Sequence, residues 1–133
     1  MELHLMKLLY EVYGYYQDTP TKTLPASSKE LIYEQFLDLV RQYYKEQHDM
    51  AFYANQLHIT PKYLAAAVRA VSGKTAKAWI DGYLVLEARL LLKQTDMSVQ
   101  QVAYRLHFAN LSGFGKYFKR QTGQSPISYK QNN

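Results

Sequence analysis

The sequence of 133 residues contains no cysteine, which removes a disulfide framework, a thiolate nucleophile and any Cys-ligated metal from consideration. Its apolar runs are a few residues long, far below the roughly 20 needed to cross a bilayer, and no secretory leader is visible. The expected setting is therefore the cytoplasm, with no membrane partner. Glycine is scarce, at six residues, and none forms a Gly-rich phosphate loop. There is no HExxH string and no Ser/His/Asp set that spacing brings together, so an enzyme has little support. No catalytic residue, metal ligand or cofactor is assigned.

Acidic residues are also scarce in the second part of the chain. Residues 1–50 hold five Lys/Arg and eight Asp/Glu, a balance of −3, whereas residues 51–133 hold eleven Lys/Arg against Asp81, Glu87 and Asp96, a balance of +8. A local basic excess of this kind attracts polyanions through counterion release more effectively than the overall +5 suggests. The plain alternative is a soluble, lysine-rich helical domain.

The feature that is present is an internal repeat. Met50, Tyr53, Ala54, Leu57 and His58 recur as Val99, Val102, Ala103, Leu106 and His107, displaced by 49 positions; Thr60, Leu64, Val68 and Gly73 recur as Asn110, Phe114, Phe118 and Gly123, displaced by 50. Each copy reads as a short amphipathic helix, a tight turn and a second helix, so the chain carries two helix-turn-helix units. In the first, Asp49 caps a helix over 50–57, Thr60-Pro61 opens the next as N-cap and first residue, Leu64, Val68 and Val71 form its buried edge, and Gly73 ends it. In the second, Ser98 caps 99–106, residues 111–121 form the later helix, and Ser125-Pro126 starts a short last one that frays at Asn132-Asn133. His58 and His107 fall where the chain turns sharply, and histidine tolerates positive φ better than most side chains. Their separation and the lack of nearby carboxylates at ligand spacing argue for turn residues over metal ligands.

Between the units, Ile80, Leu84, Ala88 and Leu91 recur at helical spacing over 76–93, beside Trp79 and Tyr83. A helix of about 18 residues spans roughly 27 Å, enough to fix two reading helices near the groove repeat of DNA, about 34 Å. Ahead of the units, Leu5, Leu8, Leu9, Val12, Tyr13 and Tyr16 mark one amphipathic helix, and residues 18–26, with Pro20 and Pro25, a linker. Ser27 and Glu30 have capping-box spacing before Ile32, Phe36, Leu39, Val40 and Tyr43. Eight aromatics lie in this front segment: Tyr10, Tyr13, Tyr15, Tyr16, Tyr33, Phe36, Tyr43 and Tyr44. They read as a helical hairpin packed on the rest, or alternatively as a homodimer interface, since tyrosine is enriched in interface cores. The expected fold is all-α, with residues 1–48 a helical segment and 49–133 a DNA-binding domain divided into 49–75, 76–95 and 96–133.

From about Phe52 to Lys130 the chain resembles the DNA-binding domain of the AraC/XylS-type transcription regulators. The resemblance rests on Ser98-Val99-Gln100-Gln101-Val102-Ala103, Phe108-Ala109-Asn110-Leu111-Ser112, Phe114-Gly115-Lys116-Tyr117-Phe118-Lys119 and Thr122-Gly123-Gln124-Ser125-Pro126, continuing to Tyr129. Thr60-Pro61-Lys62-Tyr63-Leu64 and Ser72-Gly73-Lys74 precede them in the same order. Each string is weak alone; the ordered set is highly specific.

The resemblance implies sequence-specific binding of double-stranded DNA, with helices 61–71 and 111–121 in successive major grooves. The family's base- and phosphate-contacting positions fall on Lys62, Ala65, Ala66 and Arg69 in the first unit, with Thr60 and Tyr63 beside them. In the second they fall on Asn110, Leu111, Ser112, Gly115, Lys116 and Arg120. Lys116 can donate to guanine, Asn110 and Ser112 can bond base edges or phosphate, and Arg69 and Arg120 can neutralise phosphate. Three departures stand out: Ala65 and Ala66 replace polar readers, Gly115 has no side chain, and the turn histidines replace a glycine frequent in the second unit. The second unit is thus expected to carry more sequence information. Lys93 and Lys130 read as solvated surface, and Phe108, Phe114, Tyr117 and Phe118 as core or scaffold rather than a stacking platform.

The resemblance further implies activation of transcription through RNA polymerase. Residues 1–48 resemble the helical tail of a regulatory domain, so the chain is expected to be the C-terminal part of a longer regulator, with any small-molecule effector pocket outside it. The alternative function is a helical protein–protein interaction module whose aromatic front helices bind a partner.

Overall fold

The computed structural model describes residues 28–132. The helix expected from Leu5 to Tyr16, the linker with Pro20 and Pro25, Ser27 and Asn133 lie outside them. The described residues form seven helices and no strand: α1 (Ser28–Tyr43), α2 (Met50–Gln56), α3 (Pro61–Ser72), α4 (Ala76–Gln94), α5 (Val99–Arg105), α6 (Leu111–Thr122) and α7 (Pro126–Gln131). The all-α class and both helix-turn-helix units are as expected, with helix ends shifted by one residue.

Helix starts are set by short polar side chains that accept from orphan amides. Asp49 accepts from the Ala51 amide, Thr60 from Tyr63, Thr75 from Ala78, Asn110 from Gly113 and Ser125 from Ser128, at 2.7 to 3.1 Å. Ser98 and Gln101 close a full capping box, with Ser98 Oγ accepting from the Gln101 amide and Gln101 Oε1 from the Ser98 amide. Each such cap contributes about 1 kcal/mol. The stops of α3 and α6 come from left-handed glycines. Gly73 (φ 77°) ends α3 and Gly123 (φ 85°) ends α6. Ser72 and Thr122 tie these corners alike, each hydroxyl meeting the carbonyl four residues back and the backbone two residues on.

Two hydrophobic cores result. The first joins Phe36, Leu37 and Val40 of α1 to Tyr53 and Ala54 of α2, Leu64 and Val68 of α3, and Ala76 and Ile80 of α4. The second joins Leu84, Ala88 and Leu92 of α4 to Val102, Ala103, Leu106, Phe114 and Phe118. Helix α4 therefore belongs to both. Its buried residues are spaced by four, and with 3.6 residues per turn each step advances the buried face by roughly 40°, about 160° from Ala76 to Leu92. The two units sit on different faces of one rod.

That winding corrects one expectation: the buried row of α4 closes on Leu92, and Leu91 is only half-buried. Val71 is a second correction. It is 37% exposed, because the chain turns away at Gly73 before a neighbour covers it. The described front aromatics face inward. Tyr33 meets Trp79, Phe36 meets Tyr53, Tyr43 meets Phe52 and Tyr44 meets Tyr83, with ring centroids 5.1 to 6.0 Å apart.

The position of a leucine on α4 decides its worth. Leu84→Ala should cost about 2–5 kcal/mol, whereas Leu86→Ala, at 56% exposed, should stay within about 0.5 kcal/mol; thermal or urea denaturation of the two variants measures the difference.

Candidate DNA interface

Each unit presents its second helix outward, and the turn before it explains how. In the first, the His58 amide bonds the Asn55 carbonyl and the Ile59 amide bonds the Ala54 carbonyl; in the second, His107 bonds Tyr104 and Phe108 bonds Ala103. This is the Schellman arrangement, whose left-handed residue is usually glycine. Here His58 (φ 58°) and His107 (φ 64°) hold it, the only positive-φ non-glycine residues among those described. The one-residue change in repeat displacement, from 49 to 50, falls between this histidine and the next N-cap, where Phe108-Ala109 stands for Ile59.

Beyond the turn, α3 buries Leu64, Ala67 and Val68, and α6 buries Phe114 and Phe118. At about 100° per residue, the face opposite carries Lys62, Ala66 and Arg69 on α3 and Ser112, Lys116 and Lys119 on α6, all exposed. These triplets correspond one to one under the 50-residue displacement. Lys119, the counterpart of Arg69, was absent from the residues singled out by sequence, although the displacement itself points to it. Arg120 is exposed too, but lies round the helix, with its guanidinium 5.7 Å from the Tyr117 ring centroid.

The remaining expected residues divide by what their side chains already do. Thr60 and Asn110 are engaged as caps through Oγ1 and Oδ1, so Asn110 keeps its amide NH₂ group and one lone pair of Oδ1 for other partners. Tyr63 is 38% and Leu111 45% exposed, flanking the two triplets, and Ala65 is half-buried. Gly115 is half-buried, and a Cβ added there would meet nothing within 4 Å, whereas one at Gly113 would meet Asn110 Oδ1 at 3.3 Å.

The charge pattern follows the same division. Lys62, Arg69, Lys116 and Lys119 make no side-chain hydrogen bond, ion pair or ring contact among the described residues. Two of the three acids of the basic half are turned to internal use, while Asp96 is exposed. Glu87 accepts from Tyr44 Oη at 3.1 Å and pairs with Lys45 at 3.5 Å. Asp81 accepts from Tyr117 Oη at 2.6 Å and pairs with Lys77 at 3.5 Å. Burial, reinforced by Asp81, pushes the Tyr117 phenol well above its ordinary value, so it stays a donor. Both α3 and α6 also lack an acidic residue in the first turn, leaving the positive ends of their dipoles uncompensated. Some other cations have local partners: Lys74 lies 4.2 Å from the Trp79 ring centroid, Lys93 4.8 Å from Tyr129, and Lys130 donates to the Leu92 carbonyl at 3.2 Å, whereas exposed Arg105 has none among the described residues.

Phe108 is part of the scaffold, its ring 5.1 Å from Phe114, 5.2 Å from Tyr117 and 5.1 Å from His48. Burial holds His48 below the ordinary imidazole value, against the pull of the Lys45 carbonyl. Among the described residues, no group of three or more His, Cys, Asp or Glu could hold a metal ion, and no helix is long and apolar enough to cross a membrane.

Comparison with known proteins gives a consistent result. A helix-turn-helix domain family model matches residues 53–132. The uncharacterized HTH-type transcriptional regulator YtdP of Bacillus subtilis is 31% identical over 78 residues, which cover 59% of this chain and 10% of that protein. The C-terminal domain of AraT, a response regulator from Geobacillus stearothermophilus, superposes with a TM-score of 0.70 at 21% identity, over 77% of this chain and 85% of that domain. The DNA-binding domain of AdpA, a global transcriptional factor solved in complex with a target DNA, superposes with a TM-score of 0.60 at 26% identity, over 79% and 91% of the two chains. This chain spans between a tenth and just over half the length of the first curated relatives it matches.

The space around Gly115 sets a prediction. Gly115→Ala should stabilise the free protein by about 1 kcal/mol, because alanine is the better residue in a helix interior and its methyl group meets no neighbour; a raised melting temperature is the expected result.

Proposed function

The chain belongs to the AraC/XylS-type family of DNA-binding transcription regulators, and from that membership we propose that it reads a bipartite duplex site with α3 and α6 in successive turns of the major groove. The observation that carries this reading is the pair of matching outward triplets, Lys62–Ala66–Arg69 and Ser112–Lys116–Lys119, mounted on one continuous helix. Helix α4, at 19 residues, is about 28 Å long, and a helical turn of DNA repeats about every 34 Å.

The two units divide the work unequally. On α6, Lys116 donates to guanine, Ser112 and the Asn110 amide reach base edges or phosphate, and Lys119 and Arg120 meet phosphate. On α3, Lys62 and Arg69 anchor phosphate, while Ala65 and Ala66 offer only methyl groups, suited to the thymine C5-methyl. Thr60, Tyr63 and Leu111 flank these contacts, and Gly115 leaves room for the DNA backbone to approach α6. The DNA-binding body starts at α1 in this reading, because Phe36, Leu37 and Val40 complete the core around Tyr53 and Leu64. The inward-facing aromatics of α1 favour a scaffold over a dimer interface for this helix. Activation through RNA polymerase, in the cytoplasm at the nucleoid, completes the proposal; a promoter-fused reporter that falls when the protein is supplied would reverse its direction.

Selection of bound duplexes from a random pool, near physiological salt where non-specific affinity is weak, tests the core of this reading. Two enriched blocks about 10 base pairs apart are expected; binding without an enriched motif would leave phosphate gripping alone.

Single substitutions then separate the roles. Lys116→Ala should relax base preference in one block and cost about 1–3 kcal/mol on the selected site, whereas Lys62→Ala should weaken all sites alike and reduce the salt slope by about 1. A larger change in base preference from Lys62→Ala would invert the assignment.

A further inference from the structure

The contacts between α4 and the second unit are mostly apolar: Leu84, Ala88 and Leu92 meet Val102, Ala103, Leu106, Phe114 and Phe118. The hydrophobic attraction behind such packing has no direction of its own, and one polar site on α4 adds directed bonds to it. Asp81 follows Ile80, the last α4 residue of the first core, and precedes Leu84, the first of the second. Its side chain is 13% exposed. Its Oδ1 accepts from Tyr117 Oη at 2.6 Å and meets Lys77 Nζ at 3.5 Å, while Oδ2 accepts from Gln121 Nε2 at 3.4 Å. Tyr117 and Gln121 lie on α6 four residues apart, on the face opposite Ser112, Lys116 and Lys119. Tyr117 leans in turn on Phe108, and Phe108 on His48, which belongs to the first unit's α1–α2 loop.

We propose that Asp81 is the positioning residue that sets the separation and angle of the two reading helices, and hence the half-site spacing the protein accepts. A carboxylate so far removed from water is costly unless its acceptors are filled, and here it is filled by two donors from α6 and one from the α4 turn on the first-unit side. Charge-assisted bonds of this kind are short and directional. The Tyr117 bond turns the opposite face of α6, with Lys116 and Lys119, away from α4 at a fixed angle. The path His48–Phe108–Tyr117–Asp81 braces the second unit from both sides, so α6 has one orientation relative to α3.

The inference rests on the bipartite reading and is tested so that the two can fail separately. Affinity is measured on the selected duplex and on versions with one base pair inserted or deleted between the blocks, and on a duplex carrying the second block alone, for the full chain and for Asp81→Asn, Asp81→Ala and Tyr117→Phe. An inserted base pair turns the second half-site by roughly 35° and moves it about 3.4 Å, so the unaltered protein should lose at least about tenfold. Tyr117→Phe keeps the ring and its packing, so it still folds if Asp81→Ala does not. The expected result is that the variants lose about threefold or less on the altered spacings, with affinity for the single block unchanged. Unaltered spacing preference in Asp81→Asn and Tyr117→Phe, or an equal loss on every duplex including the single block, overturns the positioning role. Indifference of the unaltered protein to spacing overturns the bipartite reading itself, and this inference with it.

Discussion

The structure depends on the single row of side chains along α4. Ala76, Ile80, Leu84, Ala88 and Leu92 are buried to within about 1% exposure, and their spacing by four makes the row wind around the helix instead of running straight. A straight stripe would seat both helix-turn-helix units on one side of α4, where they would compete for the same surface. The winding stripe gives each unit its own face and its own core, and neither core is complete without α4. Rigidity between the units is thus a property of packing, with no linker left free to bend.

The scarcity of acids in the second part of the chain takes on a specific meaning in that frame. Asp81 and Glu87 both lie on α4 and both face neighbours: Asp81 is joined to α6, Glu87 to Tyr44 and Lys45 just past the end of α1. Each carboxylate therefore ties a neighbouring segment to the central helix. The lysines and arginines of the outward faces of α3 and α6 are left without a counter-charge at hand, which suits a surface meant for a polyanion.

Much of this was legible in the sequence, for identifiable reasons. Caps such as Asp49, Thr60, Ser98 and Ser125 act on amides two or three residues away, so local sequence is enough to place them. His58 and His107 were readable as turn residues because the repeat put both at the same place, and only a few side chains tolerate left-handed backbone. The displacement of 50 pairs Lys119 with Arg69 on the outward faces, whereas the family's contact positions fall on Arg120. The Asn110 oxygen accepts from the Gly113 amide, an engagement set by its place just before α6.

The division between what local order specifies and what it leaves open is physical. Helix starts, stops, outward faces and the twofold repeat depend on hydrogen bonds and periodicity within a few residues, and the sequence by itself determined them. Tertiary structure alone decided that Leu92 and not Leu91 closes the α4 row, that Val71 stays uncovered, and that α1 shares the first core. It also decided that Asp81 meets Tyr117 across 36 residues, because each of these depends on which surfaces arrive at the same place when three-dimensional packing turns helices against one another.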